Sequence, residues 1–136
     1  MRPYLTLLLL LSLFGGPVLA NGPSTLDEKY HFDNLETVKS FHNWSINGWH
    51  AIDQRSLIVQ TSPSTAYLVI LDRRLPDLRF SETIAISSTG SFVYANFDTV
   101  HARNKFGISI PANIARIYRL KGKAQRHQVR EQILKS

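Results

Sequence analysis

The chain contains no cysteine, which excludes thiol nucleophiles, disulfide staples, thiolate metal sites and the lipid-attachment residue of a bacterial lipoprotein. Glycine is also sparse, seven residues in 136, and none forms a phosphate-cradling run. Gly48, Gly90 and Gly107 stand alone, where they supply permissive backbone to turns. There is no Gly-x-Ser-x-Gly elbow. Past residue 20 no apolar run approaches the ~20 residues of a spanning helix. Stability must therefore come from packing, and any reactive centre must be assembled from residues distant in sequence.

What is present begins with an export signal. MRPYLTLLLLLSLFGGPVLA has one positive charge, Arg2, then an apolar core from Leu5 to Phe14. Gly15, Gly16 and Pro17 break that core, and Val18-Leu19-Ala20 fits the small-residue pattern of a cleavage site. The core is too short to anchor, so cleavage after Ala20 is expected. The mature product starts near Asn21 and is periplasmic or secreted. Taking twenty residues from 136 leaves 116, a single small domain able to bury a core without staples.

The formal charge of +6 is unevenly spread. Asn21 to Ala115 carries eight Lys/Arg against nine Asp/Glu, whereas Arg116 to Ser136 carries seven against one. A basic tail on a near-neutral body does not indicate a nucleic-acid-binding face, and no specific nucleic-acid signature accompanies it.

Residues 21–37 are read as a flexible leader, on the polar Gly- and Pro-containing stretch Asn21 to Lys29. A β-domain over 38–122 follows. Gly48 to Asp53 alternates, with Trp49 and Ala51 on one face and His50 and Ile52 on the other. SLIVQ (56–60) and AYLVIL (66–71) are further strands, and the turn residues between them predict two hairpins in series. Pro76 opens a helical turn near 75–80, with Leu75, Leu78 and Phe80 as its buried side. Strands resume at 83–87, 92–96, 99–103 and 114–120, and Gly122 stops the last. The expected fold is all-β: a small antiparallel barrel or sandwich of about six to eight short strands. The basic tail, 123–136, has a helical pattern over 124–135, with Glu131 and Lys135 as a favourable pair. At that length a helix is marginal unless it docks.

Candidate chemistry is thin. His50 with Asp53, and Asp98 with His101, are spaced to fall on opposite strand faces, so neither is a local dyad. A non-local pair such as His50 with Asp98 is the remaining route to an enzyme. The histidines at 31, 42, 50, 101 and 127 lack zinc-site spacing, although His31 and Asp33 share a strand face. No metal or cofactor is implied. The aromatics offer more: Trp44 and Trp49 flank Asn47-Gly48, while Tyr67, Tyr94 and Tyr118 lie on strands. Exposed aromatics on a curved sheet stack sugars or bases, and buried ones fill a core; Trp49 and Tyr67 read as core. Asp53 is expected to cap the turn into Ser56. In the tail, Lys121, Lys123, Arg126, Arg130 and Lys135 form a salt-sensitive attraction for anions.

The run GWHAID…SPSTAYLVIL…LPDLRFSETIAISS…FDTV…IYRL, from Trp49 to Leu120, resembles a family of short exported proteobacterial proteins known only as a domain of unknown function. Its markers are Trp49 with Asp53, Tyr67 to Val69, Leu78 to Phe80, and Phe97 to Val100. The resemblance implies a periplasmic location and brings no activity with it. It also makes the Asn43-Trp44-Ser45 glycosylation triplet a coincidence. Relatives often carry cysteines where this chain has Leu75 and Phe106, which implies that these two side chains touch.

The leading reading is a non-enzymatic periplasmic binding or accessory module, its partner an envelope protein or anionic envelope component. Trp49, Tyr67 and Asp98 are the candidate ligand-binding residues. The alternative is an anionic-surface binder (phospholipid, lipopolysaccharide or nucleic acid) acting through Lys121, Lys123, Arg126 and Arg130. An enzyme with a non-local His/carboxylate site is third.

Overall fold

The computed structural model describes residues 26–104, 107–108 and 110–136. The export signal and Phe106 lie outside the described residues.

Two hairpins in series form the centre: β3 (Gly48–Asp53), β4 (Ser56–Gln60) and β5 (Thr65–Leu71). β4 and β5 are almost continuously apolar because both of their faces are covered. The longest strand, β10 (Ala112–Lys121), pairs with β5 along one edge. Its other edge is divided between β1 (Glu36–Val38), opposite Ile117 to Arg119, and β8 (Thr99–Asn104), opposite Ala112 and Asn113. β8 in turn pairs with β6 (Ile84–Ile86) and β9 (Gly107–Ile108). These eight strands make one curled antiparallel sheet. A separate ribbon is formed by β2 (Ser40–His42) and β7 (Phe92–Tyr94). Single 3-10 turns occur at Glu28–Tyr30, Asn43–Ser45 and Leu78–Phe80, and α1 (Gly122–Lys135) ends the chain.

The sheet is covered on both faces. On one, Leu57, Val69, Ile114 and Ile117 pack with Phe41 and Val93 of the ribbon and with Leu75 and Leu78. On the other, Ile58, Leu68, Tyr118 and Leu120 pack with Val129 and Ile133 of α1 and with Tyr30, Phe32 and Leu35. Trp49 and Ala51 serve the first face and Ile52 the second, as their alternation predicts. A register shift between Ile114 and Arg116 bulges β10. Ile114 and Ile117 thereby share a face, leaving Tyr118 and Leu120 for the other.

Three expectations are corrected. Residues 26–37 are not a flexible leader in the described structure: Tyr30, Phe32 and Leu35 are buried and β1 pairs with β10. The polar residues around them mask an apolar spacing that fills the space beside α1. Phe80 is 82% exposed, whereas Leu75 and Leu78 are buried. A single tight turn has too little length to bury three side chains on one side. Finally, the helix begins two residues before Ala124. Gly122, at φ +77°, supplies the left-handed joint through which β10 turns directly into α1.

That helix has no acidic residue in its first turn and no side-chain N-cap, so its own termini contribute little. Three glutamines tether it. Gln125 Oε1 accepts from Lys121 N at 2.7 Å, Gln128 exchanges two hydrogen bonds with Asn34, and Gln132 donates to the Lys29 and His31 carbonyls. Docking supplies the rest. Ile133→Ala is expected to lower the unfolding free energy by about 2–5 kcal/mol, and its exposed neighbour Leu134→Ala by less than about 0.5 kcal/mol. Urea titrations of the two variants check the contrast.

Candidate functional site

Trp49 and Tyr67 lie in one row across the sheet, each paired with Val59, and the row continues through Arg119 to Glu36. Both aromatics are half-buried against the first core face. Tyr67 stacks on Phe41 with ring centroids 4.8 Å apart and planes 14° from parallel. Their reading as core is upheld. Asp98 is elsewhere, at the turn into β8, where Ile114 N donates to its carbonyl at 2.9 Å. Asp98 thus sits on a different element from Trp49 and Tyr67.

Asp98 is only 3% exposed, and its carboxylate is occupied by structure. Ser87 Oγ donates to Oδ1 at 2.7 Å and Tyr94 N to Oδ2 at 2.7 Å. Asp53 is occupied in the same way. Its Oδ1 accepts from Arg55 N at 2.9 Å and Ser56 Oγ at 2.6 Å, the cap expected of it. Its Oδ2 accepts from Tyr30 OH at 2.6 Å, with Lys29 Nζ 3.4 Å away. Arg55 extends this knot through hydrogen bonds to the Leu71 and Asp72 carbonyls. The N-terminal segment, the β3–β4 turn and the end of β5 are thus tied at one point.

Burial works to raise the pKa of Asp53, but the hydrogen bonds from Ser56, Tyr30 and Arg55, with the Lys29 charge, hold it below the ordinary value. The Tyr30 hydroxyl is pushed far above its usual range by burial first and by the Asp53 carboxylate second. Both groups are locked in one protonation state across the physiological range. They make a joint rather than a proton-transfer centre.

The histidines do not supply the missing partner. His31 lies 2.8 Å from Asp33 and 3.2 Å from the Arg116 guanidinium, all on the surface. His50 and Asp98 are not bonded to each other; the buried Nε2 of His50 has no partner among the described residues. Burial, then the charges of Arg130 and Arg126, lower the His50 pKa and keep its ring neutral. Those arginines belong to the flank of α1 that carries Lys123, Arg126, His127 and Arg130, while the three glutamines hold the opposite flank. Lys121 approaches Glu36 at 3.9 Å, and Glu131 pairs with Lys135 and His127. The basic tail is therefore a docked helix. Among the described residues no three His, Asp or Glu side chains converge on a metal-sized site.

The surface that stands out was only half legible in the sequence. On the β2–β7 ribbon, Phe41 and Val93 face the core, and the opposite face carries His42, Phe92 and Tyr94. Phe92 lies 4.2 Å from the His42 ring and 5.9 Å from Tyr94, centroid to centroid. Trp44, in the adjoining 3-10 turn and 75% exposed, extends the row at 5.5 Å from His42. Its Nε1 donates to His42 Nδ1 at 3.1 Å, which fixes both rings. Sequence reasoning noted Trp44 and Tyr94 but not that three-residue strands pair them through His42 and Phe92.

The sequence markers now have structural roles. Trp49 and Tyr67 flank Val59, Asp53 makes the knot, Leu78 plugs the core, and Asp98 caps the turn into β8. The family model described as Family of unknown function (DUF6491) matches residues 1–136. The chain belongs to that family. Membership reaches beyond the Trp49–Leu120 span of the resemblance and carries no assigned activity for DUF6491. Comparison with curated proteins gave no match, and neither did comparison with solved structures. For this member of DUF6491, function has to be argued from the surface itself.

The knot has a pH signature. A carboxylate with a depressed folded-state pKa contributes stability above its unfolded value, about 3.8, that is lost as pH falls through the lower folded one. Asp53→Asn is expected to cost about 1.5–3 kcal/mol near pH 7, with the gap to the parent closing below about pH 4. Denaturant titrations of both proteins from pH 7 to pH 2.5 test it; a gap independent of pH would mean that the charge is not what matters.

Proposed function

We propose that the chain is exported, loses its first twenty residues after Ala20, and works in the periplasm or outside the cell as a non-enzymatic binding module. The observation that carries this reading is the aromatic outer face of the β2–β7 ribbon. A two-stranded ribbon with Phe41 and Val93 turned inward is expected to present polar side chains outward. Here it presents His42, Phe92 and Tyr94, prolonged by Trp44. Trp44 and Tyr94 are exposed and Phe92 is half-buried between His42 and Tyr94, and exposed rings clustered in this way point to recognition. The commitment of Asp53 and Asp98 to structural donors supports binding over catalysis. The signal sequence supports export, and among the described residues no helix is long and apolar enough to cross a membrane.

Two measurements test the two halves. Expression of the full chain in a bacterial host, followed by N-terminal sequencing of the periplasmic fraction, is expected to return a product beginning at Asn21. Full-length protein kept in the cytoplasm would remove the export half. For the binding half, Trp44→Ala is expected to shift the unfolding free energy by no more than about 0.5 kcal/mol, against about 3–5 kcal/mol for Phe41→Ala on the inner face. A loss at Trp44 comparable to that at Phe41 would make the outer rings structural and withdraw the reading.

A further inference from the structure

The ligand class follows from what surrounds the rings. Ser40 to Ile52, which supplies β2, the 3-10 turn and most of β3, contains no Asp, Glu, Lys or Arg. Thr83 to Phe97, which supplies β6 and β7, contains none either. The two strands of the ribbon and the segments that follow β2 and precede β7 are therefore uncharged in a chain that is 19% charged, the nearest charge in sequence being Lys39, just before β2. Apart from His42 and His50, the polar side chains left there are amides and hydroxyls. Asn43 Nδ2 donates to Ser88 Oγ at 2.9 Å beside Trp44, Ser45 Oγ donates to the His42 carbonyl at 3.2 Å, and Ser91 lies at the head of β7.

Each absence removes a partner. Without Lys or Arg along the row of rings, a nucleic-acid strand lying there would gain stacking and forgo most of the term that dominates its affinity, Lys39 and Arg116 standing only in the groove beyond Tyr94. An anionic bilayer is disfavoured on the same ground, since interfacial segments set a basic rim around their apolar face. Without Asp or Glu there is no ligand for a bridging cation and no counter-charge for a basic peptide. A protein partner is limited by area: two three-residue strands cover roughly 10 Å by 10 Å, well below the ~800 Å² per partner of a stable interface.

A neutral sugar chain fits what remains. A pyranose ring offers C–H groups from one face, which lie on aromatic rings, and hydroxyls around its rim, which exchange hydrogen bonds with amides and hydroxyls. The row of rings is also prepared in advance. Trp44 Nε1 can only donate, so His42 Nδ1 accepts and the neutral ring keeps its own proton on Nε2, available to a sugar oxygen. Holding Trp44 and His42 in place removes ordering cost from binding. Tyr94 ends the row and lines a groove of about 760 Å³ that continues past Thr37, Ala95 and Asn96 toward β10, with Lys39 and Arg116 also in its wall. A chain laid along the rings has somewhere to continue.

We propose that the outer face of the β2–β7 ribbon binds a neutral polysaccharide, stacking successive sugar rings on Trp44, His42, Phe92 and Tyr94. This rests on the ribbon being the binding surface and adds the class of ligand. The test is calorimetric titration of the mature protein with neutral hexasaccharides of three kinds: β-1,4-linked glucose, β-1,4-linked N-acetylglucosamine and α-1,4-linked glucose. Floatation with zwitterionic and with anionic phospholipid vesicles runs in parallel. At least one hexasaccharide is expected to bind, and Trp44→Ala and Phe92→Ala are each expected to weaken it at least tenfold with melting curves unchanged. Should Phe92→Ala unfold, His42→Ala takes its place. Failure of all three sugars at millimolar concentration, or binding that survives Trp44→Ala, would overturn the proposal. Vesicle binding abolished by Trp44→Ala would also overturn it, while leaving the ribbon as a binding surface.

Discussion

The fold depends on β10. It is bonded to three others, β1, β5 and β8, and the register shift between Ile114 and Arg116 lets its two halves do different work. Before the shift, Ala112 and Asn113 pair with β8 and bring in β6 and β9. After it, Ile117 to Arg119 pair with β1 and hold the N-terminal segment on the sheet. A straight strand would keep one alternation throughout. The bulge instead places Ile114 and Ile117 toward the ribbon and Tyr118 and Leu120 toward α1. Both cores are therefore set by ten residues that end at Gly122, the joint to the helix.

Without disulfides, the periphery needs other ties, and these consume the polar groups from which a reactive centre might have been built. Asp53 joins the N-terminal segment to the β3–β4 turn through Tyr30 and Lys29. Asp98 joins β7 to the strand end before β6–β8 closes, through Tyr94 N and Ser87. Asp72 holds Asn113 by both backbone and side chain. Asp53 and Asp72 sit where segments distant in sequence meet, the place a cross-link would occupy, whereas Asp98 ties a more local turn. Charge-assisted hydrogen bonds constrain the native state only, whereas a disulfide also constrains the unfolded chain. The mechanical role is similar; the thermodynamic one is not.

Most of the sheet was legible in the sequence because its strands are either alternating or doubly buried. Trp49/Ala51 against His50/Ile52 gave the faces of β3, and the apolar runs gave β4 and β5. The Asp53 cap was readable from its spacing to Ser56, whereas its bond to Tyr30, 23 residues away, left no local trace. β1 and β2 escaped notice because three residues are too few to show a period, and their pairing partners lie more than fifty residues downstream. The same brevity hid the aromatic face: His42 and Phe92 become neighbours only through that long-range pairing. The uncharged windows 40–52 and 83–97 were visible all along, but they acquire meaning only once they are seen to be adjacent.

That adjacency gives the ribbon its significance. Phe41 and Val93 already satisfy the hydrophobic requirement of a two-stranded element, being 2% and 0% exposed. On the other side Phe92 is half-buried, while Tyr94 and the neighbouring Trp44 leave apolar surface in water, a standing liability for an element with two short strand edges. Lysine or glutamate at the exposed positions 42, 44 and 94 would serve solubility better. Solubility argues against the exposed rings found there, and they are clustered and bordered by amides and hydroxyls. On the proposal that the ribbon is a binding surface, the constraint that keeps them lies in its ligand.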